Sequence, residues 1–255
     1  MKRANSQPLN CFILFIIFLF ILLPGKITAQ QGKDKKADED AGYVESIDIN
    51  ISKELLCFNK EIPDARYRIS LCADVPNNKK PHQVAHHQQT GHVFLILQKI
   101  DPASADTIHQ VFGFYPKKGL PTLFFKTIKS VIKDNSMRDH DAVITKQLSK
   151  TEFDTVLSKA VAYSKHIYHI NKFNCYEFAL FIFNSVAGGD TLPLTHVRFP
   201  FIFGRGGSPV GVYRELEKMK ANSSSWSDAI SFGEFIAPKS STRVLPVKKK
   251  NAGKK

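Results

Sequence analysis

The sequence predicts an α+β domain in which an antiparallel sheet packs helices on one side. Three observations lead there. Gly91–Ile100, Thr107–Tyr115 and Asp141–Leu148 read as strands, the first two joined by the tight turn Asp101–Asp106. Ser149 and Glu152 stand at capping-box spacing ahead of Phe153, Val156, Leu157, Ala160 and Val161, which recur on one helical face. A second apolar helix starts near Cys175 and is stopped by Gly188-Gly189. Short links between strands favour antiparallel pairing, and helices that follow the strands favour layers over a wound parallel sheet.

In chain order, Lys2 and Arg3 precede an unbroken apolar run from Cys11 to Leu23, Pro24-Gly25 break it, and Ile27-Thr28-Ala29 ends on a small residue. The run is shorter than the roughly 20 residues of a membrane span. Residues 1–29 therefore read as a secretory signal peptide, with retention as an uncleaved anchor the lesser alternative. Residues 30–43 are charged and rich in small side chains, as a flexible linker is. Residues 44–221 form the predicted domain, and the Ser-rich and basic stretch 222–255 reads as a flexible tail. Export places the protein in a periplasmic, cell-envelope or extracellular setting.

Within the domain, 46–58 and 67–73 read as strands around a Pro63-Asp64 turn, and 74–90 as a polar loop. The first long helix is expected to run from Ser149 to about His166, the second from Cys175 to about Ala187, and a last one from Ser208-Pro209 to about Lys220. Loss of the signal leaves Cys57, Cys72 and Cys175. An oxidising compartment permits a disulfide, and Cys57 and Cys72 would face each other across the hairpin. Cys175 is then the odd thiol.

The formal charge of +13 is concentrated at the chain ends, in Lys2, Arg3 and Lys26 and in Lys248, Lys249, Lys250, Lys254 and Lys255. No basic stripe interleaved with aromatics runs through the domain, so no specific nucleic-acid partner is expected. The basic tail supplies only weak attraction to anionic surfaces.

Cys175 at a helix start is the residue with most chemical potential. The first helical N–H groups lack partners and the dipole is positive there, which favours a thiolate, lowers the thiol pKa and offers oxyanion donors. A buried, inert cysteine is the alternative. His92 opens the most apolar strand after Gly91 and is the best candidate base. The cluster His82, His86 and His87 lacks a helix and an acidic partner, so a polar loop outweighs a metal site, and no metal or cofactor is expected.

Gly91-His92-Val93-Phe94 followed by Asn174-Cys175-Tyr176-Glu177-Phe178-Ala179 resembles the permuted papain-like proteins, NlpC-type and lecithin:retinol acyltransferase-like, in which the histidine strand precedes the cysteine helix. Gly113-Phe114-Tyr115-Pro116 fits the same layout, and the resemblance spans Gly91 to Gly189. It implies a permuted papain-like α+β fold and a Cys/His site acting on amide, ester or thioester bonds through an acyl-enzyme. Its substrate class is peptidoglycan stem peptide or another amide. Lipid acyl transfer or thioester cleavage, and a catalytically inactive binding module, are the competing readings. Family members draw a third polar residue from the neighbouring strand. Here Tyr115, opposite His92, would hold the imidazole through its hydroxyl, His109 is the other choice, and a bare dyad is a third option.

Overall fold

A computed structural model describes residues 46–87, 89–117, 127–189, 191–200 and 204–243. The expected signal and linker, and the basic end of the tail, lie outside the described residues. The strands are β1 (Asp48–Ile49), β2 (Arg66–Asp74), β3 (His92–Ile100), β4 (Thr107–Pro116), β5 (Ser130–Asp134), β6 (Asp139–Leu148), β7 (His196–Arg198), β8 (Arg205–Gly207) and β9 (Ile230–Ile236). The α-helices are α1 (Ile51–Glu54), α2 (Lys150–Tyr163), α3 (Cys175–Asn184) and α4 (Pro209–Ala221). Seven strands form one antiparallel sheet in the order β1-β5-β4-β3-β2-β6-β9, and β7 pairs β8 separately. The fold is α+β, as the short links require.

The most apolar strand lies at the centre. Val93, Leu95 and Leu97 of β3 face the main core together with Phe112 and Phe114 of β4, where Val156, Phe178, Ile182 and Leu216 of the three long helices cover them. Phe94 and Ile96 face the other way with Cys72 and Val111, and Ala237 of the C-terminal segment closes that side. Burial on both faces explains the nearly continuous apolar run of β3.

The sheet is strongly curled. In a flat sheet β5 and β6 would stand four spacings apart, about 19 Å. Yet Asp134 and Asp139 are joined by a link that reaches at most about 18 Å when fully extended. That link is folded as well: Arg138 N–H donates to the Asn135 carbonyl at 3.1 Å, and Met137 takes a φ of 61°. Only curling brings the end of β5 to the start of β6, with Phe94 inside the curl.

Three expectations are corrected. Residues 46–58 are not one strand: after β1 the chain turns into α1, capped by Asn50, and a 3-10 turn over Leu55–Asn59. Ile51, Leu55 and Phe58 recur at helical spacing and are buried, a period that overrides the strand-like composition. No hairpin therefore brings Cys57 to Cys72. Cys57 accepts from Gln110 Nε2 at 3.5 Å, Cys72 is wholly buried on β2, and both are free thiols, so the expected disulfide is not formed. The tail is ordered well past residue 222: β9 pairs with β6, and 237–243 runs along β4 and the β5–β6 turn. Its serines hid this, because one of them, Ser240, serves as a buried hydrogen-bond partner there. Strand β5 was also not foreseen.

The long helices end close to expectation. Ser149 and Glu152 form a reciprocal capping box on α2. At the other end of β6, Asp141 Oδ2 accepts the Val75 N–H at 2.7 Å, while burial pushes the carboxyl up to about 6. The folded chain thus holds this proton more tightly than the unfolded one, so its contribution to stability is lost as pH rises from about 4 through 6. Asp141→Asn keeps the acceptor and removes the charge. It is expected to stabilise the fold by roughly 1–2 kcal/mol at pH 8 and by nothing below pH 4, measured by urea denaturation at both values.

Candidate active site

Asn174 sets the head of α3. Its Oδ1 accepts the Tyr176 N–H at 2.7 Å, and its Nδ2 donates to the carbonyls of Ile170 at 2.8 Å and Gly207 at 3.0 Å. Glu177, 1 % exposed, completes the box: Oε2 accepts the Asn174 N–H at 3.0 Å, and Oε1 meets the Gly207 N–H at 3.3 Å and His196 Nε2 at 3.1 Å. These bonds tie β7 and β8 to the helix that carries Cys175. The Cys175 N–H, first in the helix, has no partner within it.

The β3–β4 ladder ends at Phe94 opposite Gly113, although both strands run on. Beyond it the Val93 N–H faces the Cys175 sulfur. Cys175 approaches from the helix side, while the His92 ring lies on the other face, stacked on Tyr115 with centroids 4.2 Å apart. One cavity of about 150 Å³ is lined by His92, Cys175, Tyr115 and Arg138, with Phe114 and Tyr168 among its apolar walls. No hydrogen bond joins the thiol to the imidazole.

Behind the imidazole stands a residue that the sequence reading missed. A Cβ on Gly113 would come under 3 Å from both His92 Nε2 and Asn135 Oδ1, so the absence of a side chain at Gly113 lets ring and amide converge. Both atoms are buried and neither has a hydrogen-bond partner of good geometry, although the Asn135 side chain favours the charged form of the ring. Asn135 Nδ2 donates to the Tyr115 hydroxyl at 2.5 Å, and Arg138 Nη1 donates to the same oxygen at 3.3 Å. Arg138 is held in turn by Asp74 at 2.6 Å. The expected hydroxyl contact from Tyr115 to His92 is thus replaced by ring stacking, the hydroxyl being taken by Asn135 and Arg138. His109 is not at the site: it lies opposite Gln98, bonded to its amide at 3.3 Å, toward the far end of β3. Glycine inside β4 was the available signal, since a strand glycine marks close approach. Gly91, at φ 72°, is a second case: it admits the Asp74 carbonyl and Pro209 of α4.

The electrostatics correct the expectation of a low thiol pKa. Burial pushes Cys175 up to about 11, against the Val93 and Tyr176 N–H groups, which pull it down. His92, 4 % exposed, is held well below its usual range by burial and by the Arg138 charge, with Asn135 opposing. Loss of water outweighs the helix head, and the resting pair is neutral thiol and neutral imidazole.

The histidine loop lies apart from this cavity. His82 sits on Glu217 at 3.4 Å, the His86 and His87 rings are 3.9 Å apart, and among the described residues no three His, Cys, Asp or Glu side chains converge as metal ligands would.

No family model matches the chain, and no curated protein or solved structure matches it significantly.

Proposed function

We propose that this protein is an exported cysteine hydrolase of the permuted papain-like kind, cleaving an amide bond through an acyl-enzyme on Cys175. The observation that carries the reading is that Cys175, heading a buried helix, shares one cavity with His92, whose far nitrogen faces Asn135.

Because the resting pair is neutral, the thiol loses its proton as it attacks. The sulfur forms a bond to the substrate carbonyl carbon while His92 takes the proton. The oxyanion falls to the Cys175 N–H, which has no partner within the helix. Imidazolium then protonates the leaving amine as the C–N bond breaks. Water, deprotonated by His92, attacks the thioester, and the proton returns to sulfur when the acid leaves. Asn135 keeps the ring in one orientation throughout, and stacking on Tyr115 stops it turning away. The peptide of peptidoglycan is the substrate class that suits an exported enzyme of this kind.

The aromatic walls, Phe114 and Tyr168, also suit an acyl chain, and they favour lipid esters or thioesters as the second reading. One experiment addresses both. The protein is incubated with a panel of peptide amides, muropeptides and lipid thioesters, and acyl adducts are mapped by mass spectrometry. We expect an adduct on Cys175 alone, absent from Cys175→Ala, with one substrate class dominant. Absence of both adduct and turnover across the panel would overturn the reading in favour of a binding module.

A further inference from the structure

We infer that the C-terminal segment Ala237–Arg243 is a positioning element of the site, holding Asn135, and through it His92, by way of Asp134. This rests on the reading of Cys175 and His92 as a catalytic pair. The segment lies on the sheet far from Cys175 in sequence, and its polar side chains converge on one carboxylate. Asp134, 3 % exposed, accepts from Ser136 N–H at 2.9 Å, Ser136 Oγ at 2.7 Å and Ser240 Oγ at 2.8 Å through Oδ1. Its Oδ2 accepts from Arg243 Nη1 at 2.9 Å. Ser240, 1 % exposed, also takes the Val111 N–H at 3.0 Å, and its own N–H donates to Ser136 Oγ at 2.7 Å.

Asn135 lies between Asp134 and Ser136, so both of its chain neighbours are gripped by the segment. Its own N–H donates to the Val111 carbonyl at 2.9 Å, which places it beside the strand that Ser240 also engages. The turn that follows is held from the same source: Met137 N–H donates to the Ala237 carbonyl at 3.2 Å, and Ala237 N–H to that of Arg138 at 2.9 Å. Ser241 and Thr242 fasten the rest to β4, by Ser241 N–H to the His109 carbonyl at 2.8 Å and Gln110 Nε2 to Thr242 Oγ1 at 2.7 Å. Asn135 and Arg138, which both reach the Tyr115 hydroxyl, therefore sit on a short turn that the segment fastens at Asp134, Ser136, Met137 and Arg138. Without the segment that turn would lose its bonds to Ala237, Ser240 and Arg243, and the amide facing His92 Nε2 would be held only by Val111 and Tyr115.

The test uses the full chain. Peptide-mapped alkylation of Cys175 by iodoacetamide is followed from pH 5 to 10 in wild type, Ser240→Ala, Arg243→Met, Asn135→Ala and His92→Ala, with Ser240→Thr and Arg243→Lys as conservative partners. Ser240→Ala and Arg243→Met are expected to lose about ten- to a hundredfold of the His92-dependent rate, as misplacement of a catalytic group by about 1 Å does. Asn135→Ala should show a similar loss, and the conservative variants should restore most of the rate. The acid limb of the profile should also move up toward pH 6.5 as the ring becomes wetter. A segment with only a structural role would lower Tm and leave the profile unchanged, which would overturn the inference. Should Arg243→Met fail to fold, Ser240→Ala still decides. If His92→Ala leaves the wild-type profile unchanged, the catalytic reading itself falls. If His92→Ala alters it and the segment variants do not, only the inference falls.

Discussion

His92→Ala is expected to slow the reaction of Cys175 with an acyl donor by about 10²–10⁴-fold at pH 7, the usual contribution of a general base. Its alkylation profile should change shape as well. With the thiol pushed up to about 11, unaided reaction through thiolate falls about tenfold per pH unit below that value. In the wild type a second route adds to it, in which neutral imidazole takes the proton as sulfur attacks. His92 stays neutral well below pH 6.5, because burial and Arg138 disfavour its charged form. The wild-type rate should therefore level off below neutral pH and drop only on the acid side of 6.5. The variant should lose the plateau and keep the slope. Profiles that superimpose would remove His92 from the mechanism. Circular dichroism should show an intact fold, since the ring occupies the end of β3 and not the main core.

Gly113→Ala is expected to have the second large effect, from a single methyl group. The new Cβ would overlap His92 Nε2 and Asn135 Oδ1, both ends of side chains and not backbone. These ends can move, so the fold should survive at a cost of about 1–3 kcal/mol, typical of overpacking. They can move only apart, and the ring would then lose its orientation. We expect alkylation and any turnover to fall nearly as far as in His92→Ala, with a Tm drop measured in the same samples. Gly189→Ala, where nothing lies within 4 Å, is the control and should change neither. Wild-type reactivity in Gly113→Ala would show that ring and amide do not act as a unit.

Much of this architecture follows from local patterns. The apolar run of β3 indicated a central strand, and the capping residues of α2 placed its start, because caps and periodicity are properties of neighbouring residues. Asn174 and Glu177 held a second capping box that spacing alone could have revealed. Where composition competed with period the reading failed, as in 46–58, where β-branched residues masked the helical repeat of Ile51, Leu55 and Phe58. The serine-rich C-terminal segment failed for a related reason. Serine suggests a loop when its partners are unknown, and the partners of Ser240 lie on β4 and in the β5–β6 turn.

The site divides along the same line. That a cysteine heads an apolar helix and a histidine opens the central strand is written in adjacent residues, and both reach one cavity. The companion of the histidine is not, because Asn135 arrives from the turn after β5, a strand two positions away in the sheet, through a gap that Gly113 leaves. Nor is the protonation state, since a helix head favours thiolate in water whereas desolvation of this thiol raises its pKa. Helix starts and strand faces depend on residues a few positions apart. Desolvation and the meeting of distant polar groups depend on which surfaces the closed fold brings together.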